Sequence, residues 1–193
     1  MSDYRIVVLA SGSGTLFQAL VDTKNIHNGN LVGLITDVAC PALDRAQRAG
    51  IPNTLIPMST DREKWNLALA KSLTEFKPDL IVSAGFMRII GPKVLEIFSG
   101  KIINVHPALL PKFPGAHAVA DALAAGEEVT GSTIHFVDDG VDTGEIIAQK
   151  KVKIETSDDE KTLHERIKVV ESKLLVDVVT KFVSGELLVK AGN

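Results

Sequence analysis

Cysteine is almost absent from this chain, and so are other features that mark common protein classes. The 193 residues contain one cysteine, Cys40, which excludes an internal disulfide framework and a zinc site built on paired cysteines. No apolar run approaches the roughly 18 residues that a membrane-spanning helix requires. The formal net charge is -3, so the chain lacks the basic character of nucleic-acid-binding proteins. We therefore expect neither a membrane nor a nucleic-acid partner.

The remaining composition is typical of one compact domain. Hydrophobic residues make up 45% of the 193 positions, which suffices for a substantial core in a chain of this length. No repeat, low-complexity segment or linker interrupts the sequence. The segment before Arg5 lacks the apolar stretch of a signal peptide. We expect a single domain over residues 1–193 that acts in the cytoplasm as a monomer or homodimer.

Apolar strand patterns and helical patterns alternate through the first half of the chain. Strands are predicted at 5–10, 31–36, 53–56, 80–83 and 101–106. Helices are predicted at 16–21, 42–49, 60–76 and from Pro92 onwards. For the third helix, the run from Thr60 to Glu63 predicts a capping box with Thr60 as its N-cap. The alternation predicts an α/β fold, a Rossmann-like, doubly wound and mostly parallel sheet with helices on both faces.

The pattern changes after a helix predicted at 119–125. Residues 129–137 alternate between polar and apolar side chains, and 146–152 form a second strand pattern. Two such strands joined by a tight loop predict an antiparallel hairpin appended to the parallel sheet. A long amphipathic helix then runs from 158 to about 182, with acidic residues first, as the helix dipole favours.

A glycine-rich turn follows the first strand. Ser11-Gly12-Ser13-Gly14-Thr15 stands between a strand and a helix, where free backbone N–H groups make an anion site. The third glycine of the dinucleotide fingerprint is absent, since Phe17 stands there, and the turn lacks the Gly-Lys-Ser/Thr ending of a Walker A loop. The sequence therefore leaves two alternatives, a phosphate site or a plain tight connection.

Two polar residues end the fifth strand. Asn104 and His106 share one face because side chains alternate along a strand, and Pro107 ends the apolar run. An amide can donate to a developing oxyanion and an imidazole can carry a proton. The alternative is a polar strand end that merely meets solvent.

The loop after residues 80–83 is unusually apolar. Phe86, Met87, Ile89 and Ile90 either cap the core or line a pocket for a flat heteroaromatic ligand. Because loops that follow parallel strands meet at one edge of the sheet, we expect this loop, the glycine turn and Asn104–His106 to lie together.

Three charged features have ordinary alternatives. Asp138, Asp139 and Asp142 suggest a metal loop, yet the distal Glu of an EF-hand is missing and a plain turn is commoner. We therefore expect no metal. Arg62, in the first turn of a helix, either meets an anion or is a solvated surface residue. Lys168 and Glu171, three apart on the long helix, are compatible with a surface ion pair.

Four patterns in order resemble the folate-dependent formyltransferase family. They are Ser11–Gly14, Ala84–Arg88, the run from Asn104 through His106-Pro107 to Pro111, and Gly131–Val137 with Asp142 following. The resemblance covers nearly the whole chain. It implies 10-formyltetrahydrofolate as co-substrate and glycinamide ribonucleotide as acceptor, in purine biosynthesis, with no metal and no covalent intermediate.

The resemblance also implies roles for individual residues. The catalytic trio would be Asn104, His106 and Asp142. The ribonucleotide site would comprise Gly12, Ser13, Gly14, Thr15, Leu16, Lys168 and Glu171. The folate site would comprise Arg62, Met87, Arg88, Ile89, Ile90, Asn104, Asp138, Asp139, Gly140 and Val141. Thr133 and His135 would orient Asn104 and the Asp142 loop. Phosphate binding would fall to about residues 1–100, and folate binding and catalysis to about 101–193.

One departure from the family pattern concerns the phosphate loop, where Leu16-Phe17 replaces the usual Asn-Leu, so a side-chain hydrogen bond to phosphate is lost while the backbone amides remain. We expect Asp142 to pair with His106 and favour its charged form. Methionyl-tRNA formyltransferase is not expected, because it carries a further C-terminal domain. The alternatives are a formyltetrahydrofolate deformylase, usually built with an added N-terminal domain and without this glycine loop, and a non-catalytic nucleotide-binding module.

Overall fold

The computed structural model describes residues 4–24, 26 and 30–190, and the expectation for the segment before Tyr4 lies outside them. The strands are β1 (Ile6–Ala10), β2 (Leu31–Thr36), β3 (Asn53–Leu55), β4 (Leu80–Ser83), β5 (Ile102–His106), β6 (Val129–Phe136) and β7 (Ile146–Lys153). The helices are α1 (Thr15–Asp22), α2 (Pro41–Arg48), α3 (Arg62–Phe76), α4 (Pro92–Ile97), α5 (Ala118–Ala124) and α6 (Glu160–Ser184). Among the described residues, no helix has the length and apolarity needed to cross a bilayer.

The strands form one seven-stranded sheet in the order β3-β2-β1-β4-β5-β6-β7. The first five are parallel, and β6 runs antiparallel to both β5 and β7. The predicted fold class is confirmed, including the appended hairpin and the long C-terminal helix.

Alternation along the central strands divides the core into two layers. Ile6 and Val8 of β1 point to the face covered by α1 and α6, whereas Val7 and Leu9 point to the face covered by α3 and α4. Since every residue of β1 is buried, the strand reads as a continuous apolar run, as parallel strands do. Trp65, Leu69 and Leu73 of α3 are buried in the second layer.

The predicted capping box of α3 is wrong. Asp61, not Thr60, is the N-cap, and its side chain accepts from the backbone N–H of Lys64 at 2.9 Å. Thr60 and Asp61 are both good caps, and the charged carboxylate gains additionally from the positive end of the helix dipole. A true capping box begins α6, where Asp159 and Thr162 bond reciprocally.

The strand order places a crevice between β1 and β4. The connection from β1 leads to α1 on one face of the sheet, and the connection from β4 leads to α4 on the other. Open α/β sheets bind ligands beyond the carboxyl ends of the strands at such a reversal. The two loops meet there, since Met87 N–H donates to Ser11 Oγ at 2.8 Å and Ser11 N–H to the Gly85 carbonyl at 3.0 Å. Their predicted proximity is confirmed.

Candidate active site

A cavity of about 470 Å³ opens at this edge of the sheet. Many predicted site residues line it, namely Leu16, Met87, Arg88, Ile89, Ile90, Asn104, His106, His135, Asp138, Gly140, Val141, Asp142 and Glu171. Other predicted residues do not lie on its wall, namely Gly12, Ser13, Gly14, Thr15, Arg62, Thr133, Asp139 and Lys168. The cavity therefore joins the end of β5, the β4–α4 loop, the acidic loop and the inner face of α6.

Asp142 is the centre of a hydrogen-bonded cluster. One carboxylate oxygen accepts from Asn104 Nδ2 at 3.3 Å and faces His135 Nε2 at 3.4 Å. The other accepts from the Gly115 N–H at 2.8 Å and lies 3.3 Å from His106 Nδ1. The hydrogen bond with His135, helped by Gly115 and His106, outweighs burial and lowers the pKa of Asp142 to about 2. The carboxylate is charged at neutral pH.

His106 lies between two acceptors. Its side chain is 4% exposed, with Nδ1 at Asp142 and Nε2 2.8 Å from the Phe113 carbonyl oxygen. Because a carbonyl only accepts, Nε2 carries a proton. Burial lowers the pKa of His106, while Asp142 and the Phe113 carbonyl act in the opposite direction. The predicted pairing is confirmed, and Asp142 favours the charged form of His106 as expected, although burial has the larger effect on this pKa.

The two predicted orienting residues on β6 differ in what they touch. His135 Nδ1 lies 2.8 Å from the Phe136 carbonyl oxygen, and its Nε2 lies 3.2 Å from Asn104 Nδ2. His135 thus contacts both Asn104 and Asp142. Thr133 instead donates to the Ala108 carbonyl at 2.6 Å and accepts from the Leu110 N–H at 3.1 Å. Thr133 therefore fixes the segment after β5 rather than Asn104 or the Asp142 loop.

The β4–α4 loop contributes both to the core and to the cavity wall. Phe86 and Ile90 are each 8% exposed and belong to the core, whereas Met87 and Ile89 are 60% and 62% exposed at the cavity. Side chains of α3 hold the loop, since Arg62 donates to the Ile89 carbonyl at 3.0 Å and Asn66 accepts from the Gly91 N–H at 2.9 Å. Arg62 is therefore an exposed residue that binds the backbone of the loop, and it does not lie on the cavity wall.

Arg88 lies on the cavity wall, but its guanidinium pairs with the buried carboxylate of Asp37 at 2.5 Å. The pair joins the end of β2 to the β4–α4 loop. Its effect is to hold the loop in place.

The acidic loop is a turn in this structure. Asp138 accepts from the Gly140 N–H at 3.1 Å and from Thr143 Oγ1 at 2.7 Å, an arrangement typical of Asx turns. Asp142 has a φ of 55° and turns its carboxylate toward Asn104 and His106. Across residues 4–24, 26 and 30–190, no group of three or more His, Cys, Asp or Glu side chains is arranged to hold a metal ion.

The glycine loop leaves several backbone donors unused. Gly14 has a φ of 69°, and its carbonyl accepts from the Gln18 N–H at 2.9 Å. Within the described part of the chain, the backbone N–H groups from Ser13 to Leu16 have no hydrogen-bond acceptor. These donors lie at the positive end of α1, which is the arrangement that binds anions.

Lys168 and Glu171 do not form the surface ion pair that was the alternative to a binding role. Lys168 pairs with Glu165 at 2.9 Å. Glu171 is 4% exposed and accepts from Ser132 Oγ at 3.4 Å. Burial is the largest influence on it and raises the pKa of Glu171 to about 7, partly offset by Ser132 and Lys168. The inward orientation puts this carboxyl group on the cavity wall.

Several groups that contribute to the site were not predicted from the sequence. The Phe113 carbonyl and the Gly115 N–H contact His106 and Asp142, and backbone groups carry no residue-type signal. His164 also lines the cavity. Its position seven residues before Glu171 on α6, and so on the same helical face, is a signal that was available.

Comparison with known proteins identifies the family. A model of the family described as formyl transferase matches residues 4–179. A phosphoribosylglycinamide formyltransferase of Mycobacterium tuberculosis is 48% identical over 178 residues, which cover 91% of this chain and 83% of that protein. A crystal structure of glycinamide ribonucleotide transformylase 1 from Symbiobacterium toebii is 36% identical, with a TM-score of 0.91 and coverage of 98% of this chain and 92% of the other.

A more distant structure, a formyltetrahydrofolate deformylase from Pseudomonas syringae, is 22% identical with a TM-score of 0.89. The match covers 99% of this chain and 65% of the deformylase chain. At this identity, the match demonstrates a shared fold alone. The family match, by contrast, spans most of the described residues. The chain belongs to the formyl transferase family.

Proposed function

We propose that this protein transfers the formyl group of 10-formyltetrahydrofolate to the amine of glycinamide ribonucleotide, a step in purine biosynthesis, and that it acts in the cytoplasm. The observation that carries the proposal is the Asp142 cluster, in which an amide donor and an imidazole contact one carboxylate inside the cavity. Family membership supplies the reaction class, and the chemistry of the cluster suits acyl transfer to an amine.

The first step is attack of the acceptor amine on the formyl carbon. The resulting tetrahedral intermediate carries an oxyanion, and we assign Asn104 Nδ2 as its hydrogen-bond donor. Loss of one such donor typically costs about 3–4 kcal/mol of transition-state stabilisation. This amide donates to Asp142, which orients it toward the centre of the cluster.

The second task is to move one proton from the attacking amine to the leaving folate nitrogen. With Nε2–H directed at Phe113, the Nδ1 atom of neutral His106 has a lone pair facing Asp142 at 3.3 Å. A proton placed between Nδ1 and the carboxylate is stabilised by both groups. The pair thus accepts the amine proton as the oxyanion forms, and the positive imidazolium stabilises that oxyanion. The proton then passes to the folate nitrogen, which leaves as an amine.

The two substrates occupy different ends of the cavity in this proposal. The folate ring packs against exposed Met87, Ile89 and Val141, whose side chains are 60%, 62% and 52% exposed. Backbone groups of Arg88, Ile90 and the acidic loop at 138–140 complete this pocket, and Arg62 supports it through Ile89. An apolar rim of this kind suits a flat heteroaromatic ring.

The ribonucleotide phosphate binds the unused N–H groups of the loop at 12–16, where α1 begins. The carboxylate of Glu171 accepts from the ribose hydroxyls, and Lys168 adds a positive charge one helical turn away. The loss of a polar side chain at Leu16 leaves the backbone donors of this site unchanged. The assignment of phosphate binding to residues 1–100 and of folate binding with catalysis to 101–193 stays a prediction, as do the individual roles.

The proposal is tested by following tetrahydrofolate release from 10-formyltetrahydrofolate with and without glycinamide ribonucleotide. Transferase activity predicts release that depends on the ribonucleotide. Equal release without it would identify a hydrolase that deformylates the folate, and no release would leave a nucleotide-binding module. Asn104→Ala and His106→Ala should each lower kcat at least about 100-fold without loss of cooperative unfolding.

A further inference from the structure

Arg45, on α2, is bound to the glycine loop that follows β1. Its Nε donates to the Ser13 carbonyl at 2.7 Å, and its Nη1 donates to Gln18 Oε1 on α1 at 3.2 Å. Gln18 in turn donates to Asp22 at 2.7 Å. Arg45 therefore bridges the loop and the helix that the loop begins.

The loop is also pressed closely against α2. A Cβ atom at Gly14 would lie 2.8 Å from both Ala42 Cα and Ala42 Cβ, which is closer than side chains pack. The Gly12 carbonyl accepts from the Ala42 N–H at 3.3 Å. Two successive carbonyls of the loop, those of Gly12 and Ser13, thus face α2.

This orientation determines where the loop's N–H groups point. In a trans peptide, the carbonyl of one residue and the N–H of the next point in opposite directions. The Gly12 carbonyl on α2 therefore turns the Ser13 N–H away from α2. The Ser13 carbonyl on Arg45 turns the Gly14 N–H the same way. These are two of the donors that lack an acceptor within the described part of the chain.

We propose that Arg45 is a positioning residue of the acceptor site: by binding the Ser13 carbonyl, it holds the loop with its N–H groups directed at the phosphate of the ribonucleotide. This inference rests on the proposed function. Arg45 acts through the backbone of the loop rather than by contact with the phosphate. Its positive charge also reinforces the attraction of this end of the cavity for an anion.

The test uses Arg45→Met, which keeps a long apolar side chain over Gly14 and Ala42 but removes every donor. Calorimetric titration with ribose 5-phosphate measures phosphate binding without catalysis, and we expect its Kd to rise about tenfold. In the assay, KM for glycinamide ribonucleotide should rise by a similar factor, while kcat and KM for the folate donor change less than about twofold. Arg45→Lys keeps one donor and should recover part of the loss, and it replaces Arg45→Met if that variant does not fold.

The matched control is Arg48→Met, because Arg48 lies on the same helix and is exposed; its constants should equal those of the wild type. A second control is the acceptor without its phosphate, for which the Arg45→Met and wild-type kcat/KM should agree. The inference is overturned if Arg45→Met binds ribose 5-phosphate as tightly as wild type. It is equally overturned if the variant loses activity toward phosphorylated and unphosphorylated acceptors alike. Wild-type protein that binds ribose 5-phosphate but transfers no formyl group would refute the proposed function alone, and the titration of Arg45→Met would still decide this inference.

Discussion

Two carboxyl groups that line the cavity, those of Asp142 and Glu171, have pKa values displaced in opposite directions. Asp142 has four neighbouring nitrogen atoms, and its pKa is lowered to about 2. Glu171 has Ser132 as its hydrogen-bond partner, and burial raises its pKa to about 7. The charge of Asp142, at the proposed catalytic centre, is therefore stabilised by the protein's own groups. At the proposed ribonucleotide site, Glu171 has a long hydrogen bond from Ser132, and the backbone N–H groups from Ser13 to Leu16 have no acceptor among the described residues.

The different environments of Asp142 and Glu171 suit two different roles, preorganised stabilisation of a transition state and binding of a polar ligand. Groups that must stabilise a transition state are effective when they are fixed before the substrate arrives. A polar group contributes most to the affinity for a ligand when the ligand supplies a hydrogen-bond partner that the protein itself does not. The comparison predicts that changes at Asp142 act on kcat, whereas changes at the glycine loop act on KM for the acceptor.

The largest effect is expected for Asp142→Asn. The amide retains the size of the side chain but removes the charge that stabilises protonated His106, so kcat should fall about 1,000-fold, within the usual range for acid–base groups. KM for the ribonucleotide should change less than about threefold. Steady-state kinetics in both substrates check this, with Asp121→Asn on α5 as control. A rise in KM with unchanged kcat would contradict the division between the two ends.

Glu171→Gln is expected to change how stability depends on pH. Between the unfolded value of 4.5 and the folded value of about 7, the folded state binds more protons, so the free energy of unfolding falls as pH rises through this window. Glutamine removes that fall. We expect the variant to be more stable than wild type by about 3 kcal/mol at pH 8 and about equal to it at pH 4.5. Urea unfolding at the two pH values measures the difference, and parallel stability profiles would contradict it.

Thr15→Pro tests the unused donors directly. Thr15 is the first residue of α1, where proline is tolerated because its missing N–H has no partner within the helix. We expect KM for the ribonucleotide to rise about tenfold, the value of one hydrogen bond to a charged group, with kcat and folate KM unchanged. Thr15→Ala keeps the N–H and serves as control. A selective effect on folate KM would refute the placement of the phosphate.

The smallest effect is expected for Ser132→Ala. The Ser132 hydroxyl is a weak donor to Glu171 at 3.4 Å, and its contribution lowers the pKa of that carboxyl. Its removal should move the midpoint of the pH-dependent loss of stability upward by less than about one unit. Unfolding followed between pH 5 and 9 measures the midpoint, and a downward shift would show that another group titrates there.

The strands and loops that position the site were predictable, because apolar runs and strand alternation can be recognised from residues close together in the sequence. The shared face of Asn104 and His106 follows from a period of two, and the meeting of three loops follows from parallel order. The partners of His106 and Asp142 at Phe113 and Gly115 were not predictable, since they are backbone groups brought in by a turn. The pKa of His106 was missed because burial depends on the whole fold.

The side-chain contacts at the helices were also only partly predictable from the sequence. Thr60 and Asp61 are both residue types that are favoured at an N-cap, and the backbone conformation of the folded chain determines which of them occupies that position. Likewise, Lys168 and Glu171 have the spacing of an ion pair, but Glu171 turns inward to Ser132, a contact between α6 and β6 that spacing along one helix does not contain. Arg45 was not singled out because its target is a carbonyl 32 residues earlier.

The most direct test of the contrast between the two ends is a titration of ¹⁵N-labelled protein with glycinamide ribonucleotide, followed by amide NMR. We predict large downfield shifts of the amide protons of Ser13, Gly14, Thr15 and Leu16, which gain an anionic acceptor, and small shifts for the Gly115 N–H, which already donates to Asp142. Unchanged chemical shifts of the amide protons from Ser13 to Leu16 at saturating ribonucleotide would contradict the account.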